Sequence, residues 1–349
     1  MASSGGIRLE PLEVLAPARV DLAGGTLDLW PLYCFHPGSI TVNVALRRGV
    51  RVRAVPGGAP LGRIRHCSPD SPPLELRRED SARHLSAAVG FHLLPEGGFA
   101  VEVLEQPPVG SGLGASSALA VALARACLAL GSRRVAASCL AMLLRDLEAT
   151  VLAAPTGVQD YYPALLGGAL AIHLEPGGEQ VERLPVRLPW IEERLVVVYT
   201  GIAHASGMVN WEVYRARVDG DAGVAAALEQ IAATAVECRR ALVAADGDGV
   251  GRAVAAEWDA RRRLAPAVTT PALDAIVAAG VAAGALAGKA CGAGGGGSLL
   301  FWVPPGKRAA VAGAALAAAP AGAFEIPASL AARGATARVQ SGRMVRRRA

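Results

Sequence analysis

Three alternating glycines, Gly110, Gly112 and Gly114, lie in the stretch PPVGSGLGASSA at 107–118, directly ahead of Ser116 and Ser117. Glycines let a chain turn sharply and bring its backbone against a ligand with no Cβ in the way. Serines at the head of a helix are capping types, and the first N–H groups of a helix have no partner within it. With the helix dipole they form an anion site, suited above all to phosphate. The plainer reading is a structural glycine turn with a capped helix behind it. This is not a Walker-type loop, because no lysine follows the last glycine. It is not a dinucleotide fingerprint either, because no fitting acid follows about 20 positions on.

The elements around the loop set its place. Residues 99–104 alternate as a strand does, and SALAVALARACLAL after the loop has helical periodicity to about Leu130. Upstream, 13–22 (EVLAPARVDL) reads as a strand with Pro17 at its middle or edge. Gly24 and Gly25 then turn the chain, and Asp28 projects beyond the turn. Residues 39–54 alternate over one or two strands, with Arg47, Arg48, Arg51 and Arg53 on a solvated face. Residues 63–73 read as a surface loop, and 80–94 as a helix. A second helix after the glycine loop begins near Ser132 or Arg133, runs towards Ala153 and carries Glu148, by itself a solvated-face residue. Asp160 stands where a helix starts after Gly157, and 170–174 is a strand. The apolar strand LVVVYT at 195–200 opens a second domain, giving an expected division into 1–190 and 191–349. Ala-rich helices follow, broken at 246–249. A second glycine loop in GKACGAGGGGSLLFWV, 288–303, is read between a helix and a strand, and 309–319 is a last helix.

A chain of 349 residues, 52% hydrophobic, builds a large core and two domains. The net charge of +5 owes most of its excess to Arg343, Arg346, Arg347 and Arg348 at the very end. The body is nearly neutral, and aromatic residues make up only 4%, so nucleic-acid binding is not expected. No basic-then-apolar leader opens the chain, and the uncharged run between Asp274 and Lys289 is too short to span a bilayer. Six cysteines without CxxC spacing read as buried free thiols of a cytoplasmic protein, not as a metal site.

The loop PPVGSGLGASSA resembles the ATP loop of the GHMP kinases, with Ala115 where that family usually has its first serine. The resemblance implies that Gly110, Ser111, Gly112, Leu113, Gly114, Ala115, Ser116 and Ser117 hold ATP. The opening APARVDLAGGTLDL resembles the sugar-binding segment of the family's sugar kinases, though without the Glu-His pair of galactokinases. It implies that Arg19 reaches the reacting hydroxyl and that Asp28, with Gly25, Thr26, Gly38 and Ser39, holds the sugar. PTGVQDYYPALLGG resembles the segment whose Asp faces the acceptor hydroxyl, which makes Arg19 and Asp160 the implied catalytic pair. Glu148 then holds Mg²⁺ with Ser116 or Ser117. The second glycine loop resembles the family's third motif, which closes the site and brings Gly294 and Gly295 to the acceptor. The Thr-Gly after the strand at 195–200 and EWDARRRLAPAVTTP resemble the D-glycero-D-manno-heptose 7-phosphate kinases and the kinase half of fucokinases. That branch has Arg where this chain has His204; Arg261, Arg262 and Arg263 either meet an anionic substrate or line a solvated helix face.

The resemblance implies an α+β, two-domain fold. Its N-terminal domain is like the second domain of ribosomal protein S5, and its C-terminal domain is ferredoxin-like. The implied reaction is transfer from ATP, with Mg²⁺, to the anomeric hydroxyl of a sugar or sugar phosphate. The alternatives are another sugar 1-kinase, of fucose, galactose or uronic-acid type, and a sensor that binds sugar and ATP without turnover. A monomer or homodimer with no membrane or nucleic-acid partner is expected.

Overall fold

A computed structural model describes residues 11–57, 61–66, 72–94, 97–203 and 207–339, the side chains of 56–57 and 207–209 excepted. His204, Cys67 and the arginines at 343, 346, 347 and 348 lie outside the described residues. Two sheets organise the chain. The larger has the order β12-β1-β2-β5-β3-β4, with β6 and then β7 added along β2. Its strands are β1 (Leu12–Ala23), β2 (Ile40–Gly57), β3 (Gly62–Arg65), β4 (Leu74–Leu76), β5 (Gly98–Glu105), β6 (Ala169–Glu175), β7 (Gly178–Arg183) and β12 (Thr336–Val339). All pair antiparallel except β3 with β5. The smaller sheet has the order β11-β8-β10-β9, from β8 (Leu195–Tyr199), β9 (Ala287–Ala290), β10 (Ser298–Trp302) and β11 (Phe324–Ile326). The gap between β7 and β8 separates the sheets in sequence, yet β12 crosses back to pair with β1, which no local pattern announces.

The pairing of β1 with β2 shifts register between Pro17 and Ala18, where Pro17 lies opposite Gly49 and Ala18 opposite Leu46. Two extra residues of β2, Arg47 and Arg48, are taken up there, an even offset that keeps the alternation of both strands while β1 passes from one core to the next. Leu12, Val14 and Ala16 pack into one core, whereas Ala18, Val20 and Leu22 pack into another. The second core is shared with Leu195, Val197, Leu300 and Trp302 of the smaller sheet, so the two units are joined by buried apolar contact. Past the shift, Arg19 and Asp21 stand on the opposite face of β1 from Val20. Both are buried charges, and both matter below.

Ten α-helices are among the described elements; those that build the site are α2 (Ala115–Leu130), α3 (Ala137–Leu152), α4 (Tyr161–Leu166), α6 (Gly207–Val218) and α8 (Gly247–Arg261). Several local expectations need correction. Helix α2 starts at Ala115 with left-handed Gly114 as its cap residue, so Ser116 and Ser117 lie inside the first turn and cap nothing. Helix α3 starts at Ala137, after a turn, rather than near Ser132. The second glycine loop joins β9 to β10 in an antiparallel pair; helix α9 (Pro271–Ala282) ends before β9 begins. Residues 80–94 split into a short 3-10 turn, Arg78–Ala82, and the helix α1 (Leu85–Leu93). Cys127, Cys238 and Cys291 are buried free thiols as expected, but Cys139 is exposed. No helix among the described residues is long and apolar enough to cross a membrane.

Candidate active site

A cleft of about 760 Å³ opens between the two units. Its floor is the first glycine loop. Gly110, Gly112 and Gly114 all have φ near +70°, a conformation open to glycine and costly for other residues. Gly112 also needs its missing side chain for space, because a Cβ there would sit 2.4 Å from Cys291 O of the second glycine loop. Ser298 N–H donates to Ser111 O at 2.8 Å, and a Cβ on Gly292 would lie 3.1 Å from Gly112 O. The two glycine loops are thus pressed together backbone to backbone. Helix α2 leaves its N-terminal N–H groups facing the cleft, the arrangement that binds phosphate.

Asp160 does not cap α4; its side chain turns to β1 instead. Arg19 holds Asp160 Oδ1 through Nε at 2.7 Å and Nη2 at 2.6 Å, and donates through Nη1 to Gly112 O at 2.5 Å. Burial works against the Arg19 charge, but Asp160 and Asp21 outweigh it and raise its pKa. The other carboxylate oxygen, Oδ2, lies beside Gly114, whose missing Cβ would be 3.1 Å away. One guanidinium therefore ties the acid to the first glycine loop and leaves Oδ2 for a ligand.

Glu148 is buried on α3 and is no solvated-face residue. It accepts from Ser116 Oγ at 3.3 Å, Thr156 Oγ1 at 3.2 Å and Tyr161 Oη at 2.6 Å. Burial raises its pKa, the Tyr161 bond opposes this, and the charge of Asp160 adds to it. A carboxylate left in that state beside a serine hydroxyl is a hard-oxygen pair that fits Mg²⁺, which takes few protein ligands. Ser117 lies against the Tyr161 hydroxyl and also lines the cleft.

The far wall is built for polar groups on a small ligand. Asp28 is buried, accepts from Gln159 N–H at 2.9 Å, and has its pKa pushed up to about 6 by burial. Gln159 Oε1 is buried without a hydrogen-bond partner among the described residues. Thr26, Gly294, Asn210 and Trp211 also line the cleft, with Leu29 and Leu152 among its apolar residues. Of the residues expected at the acceptor, Gly25, Gly38, Ser39 and Gly295 are absent from the lining, and so is Leu113, expected at the nucleotide. Ser39 Oγ bonds back to His36 O, and Gly38 is exposed. Arg262 and Arg263 face outward, towards Asp274 and Gln230. Arg261 lines the cleft but is fully engaged behind it. The Cys291 thiol, with its pKa pushed up to about 12 by burial, offers no nucleophile. Sequence reading missed Thr156, Gln159 and Tyr161, although all three lie in or beside the segment that flagged Asp160, and it missed Trp211 altogether.

Comparison with known proteins bears on the family and the fold. The model of the GHMP kinases N terminal domain matches residues 78–168, and that of the GHMP kinases C terminal matches 238–321. The chain is 25% identical over 321 residues to the D-glycero-alpha-D-manno-heptose 7-phosphate kinase of Campylobacter jejuni, covering 86% of this chain and 91% of that one. It superposes on a D-glycero-D-manno-heptose 1-phosphate kinase from Bacteroides thetaiotaomicron with a TM-score of 0.71 at 21% identity, covering 94% of this chain and 98% of the other. It superposes on Lactococcus lactis galactokinase complexed with galactose with a TM-score of 0.78 at 18% identity, covering 95% and 96%. With both domains in order on one chain, and the α+β fold to match, the protein belongs to the GHMP kinase family.

Proposed function

We propose that the protein transfers the γ-phosphoryl group of ATP to the anomeric hydroxyl of a sugar, D-glycero-D-manno-heptose 7-phosphate or a close relative. The observation that carries this is the Asp160–Arg19–Gly112 chain, which sets an acid and a cation against the nucleotide loop. Phosphoryl transfer asks for alignment and charge neutralisation more than covalent help. The loop 110–117 and the head of α2 hold the phosphates. Asp160 Oδ2 orients the acceptor hydroxyl and takes its proton; Arg19 keeps that carboxylate in place and faces the charge that develops. Glu148 and Ser116, or Ser117, would hold Mg²⁺, which supplies charge neutralisation at the phosphates. Asp28 and Gln159 Oε1 accept from sugar hydroxyls. The likeness to the Campylobacter enzyme supports a heptose 7-phosphate as the acceptor.

One observation favours a second reading, in which the acceptor is an unphosphorylated sugar. The cleft-lining cations among the described residues, Arg19 and Arg261, are each already paired with a carboxylate. ADP release measured over phosphorylated and free heptoses decides between them. A kcat/KM at least about tenfold higher for the phosphorylated heptose supports the first, since a charged contact carries at least that factor; equal values or a preference for the free sugar support the second. No turnover with any sugar would sink both.

A further inference from the structure

Behind the cleft wall lies a closed set of four charged side chains. Asp21 comes from β1, Glu257 and Arg261 from α8 and Lys289 from β9, and each is at most 1% exposed. Lys289 Nζ stands 2.9 Å from Asp21 Oδ1 and 2.9 Å from Glu257 Oε2. Arg261 Nη2 stands 2.6 Å from Glu257 Oε1 and 3.7 Å from Asp21 Oδ2. Two cations and two carboxylates cancel. Lysine is otherwise nearly absent from this arginine-rich chain, Lys307 being the other one. Removing four charges from water is expensive, and apolar side chains of the same volume serve stability as well or better. The set needs another reason to be there.

Arg261 supplies one, because its donors reach past the ion pairs. Nη2 donates to Gly25 O at 2.9 Å, and Nη1 to Thr26 Oγ1 at 3.1 Å and to Gly292 O at 3.3 Å. Thr26 has φ +77°, a conformation that a β-branched residue keeps only when its surroundings enforce it. That turn leads into Asp28 at the acceptor end. Gly292 is the residue packed on Gly112 of the nucleotide loop. One guanidinium thus grips the acceptor turn of the larger sheet and the glycine loop of the smaller sheet that backs the nucleotide.

We propose that Asp21, Glu257 and Lys289 form a rigid frame that fixes Arg261 as a positioning residue, and that Arg261 locks the acceptor turn to the nucleotide clasp. Its kinetic consequence rests on the sugar-kinase reading; its structural consequence does not. Arg261→Lys keeps the charge beside Glu257 and loses the fork that spans Gly25, Thr26 and Gly292. Thr26→Val leaves all four charges in place and removes the side-chain bond of the two that hold the acceptor turn. Amide hydrogen exchange needs no acceptor and comes first, with β8 as the control for global stability. Both variants should exchange at least about tenfold faster at 24–29 and at 291–297 together, the scale of a lost bond to a charged donor, with β8 unchanged. Loosening of one segment alone, or of neither, overturns the proposal, and if Arg261→Lys does not fold, Thr26→Val still decides it. With a sugar that the wild type turns over, each variant should raise acceptor KM and lower kcat about tenfold, and the double variant should lose no more than the worse single one. Fully additive losses would contradict the shared grip. A wild type inert towards every sugar would refute the sugar-kinase reading while the exchange result stands.

Discussion

Replacing Asp28 by Asn should stabilise the protein and disable its acceptor site. Asp28 is 2% exposed, and burial pushes its pKa from 3.8 to about 6, against the opposing Gln159 N–H and with help from Asp160. The folded state therefore holds a proton that the unfolded chain has released between those two values. Stability falls as pH rises through that window, and the full cost is present above about pH 6. A shift of about 2 units at 1.36 kcal/mol each makes that cost about 3 kcal/mol. Asn keeps an oxygen for the Gln159 N–H and has no charge to bury. With an unfolding entropy of roughly 2.1 cal/mol/K per residue, a chain of this length should gain about 4 °C in Tm. Thermal unfolding of both proteins from pH 5 to pH 8 is the assay. The gain should be complete at pH 7.5 and shrink to about half at pH 5, while acceptor KM rises at least about tenfold for want of a charged acceptor. A gain independent of pH, or a loss of stability at pH 7.5, would show that Asp28 carries no burial cost and would refute the reasoning.

Asp160→Asn should keep ATP binding and lower kcat at least about 100-fold, the scale of a general base; titration calorimetry with ATP beside steady-state turnover checks both halves. Glu148→Gln should raise the Mg²⁺ concentration needed for half-maximal rate and lower kcat, because a hard anionic ligand becomes neutral, and an unchanged magnesium titration would remove Glu148 from the metal. Gly112→Ala should raise the ATP KM at least about tenfold and cost about 1–2 kcal/mol for the left-handed backbone alone, since its Cβ must also displace Cys291 O. A variant with wild-type Tm and ATP KM would mean that the two glycine loops are not pressed together.

The parts of this account that were legible in the sequence are those carried by short-range pattern. The glycine loop with its strand and helix and the break at Asp246 follow from periodicity and turn chemistry, whereas the acid of PTGVQD stood out only by the family resemblance; Asp246 does accept from Gly249 N–H as a cap should. What was not legible depends on distant pairing. Nothing local says that β12 returns to β1, or that the stretch of β1 after the register shift at Pro17 packs between the two sheets so that Arg19 and Asp21 are buried. The helical run of EWDARRRL gives three adjacent arginines with no means of ranking them; only the packing of α8 on β1 and β9 buries Arg261 and leaves its neighbours in solvent. A lone lysine in the apolar GKAC was a signal that could have been read, since a strand seldom buries one without carboxylates to meet it. The substrate is least legible, because the proposed acceptor end gathers side chains from the turn after β1, the loop before α4 and the start of α6.

The central claim is phosphorylation at the anomeric oxygen, and phosphorus NMR of the product tests it most directly. The protein is incubated with ATP, Mg²⁺ and either heptose 7-phosphate or the free heptose. The account predicts a new phosphorus resonance coupled to the anomeric proton, formed in step with ADP. A product whose phosphorus couples to any other sugar proton, or ADP release with no new sugar phosphate, would contradict it.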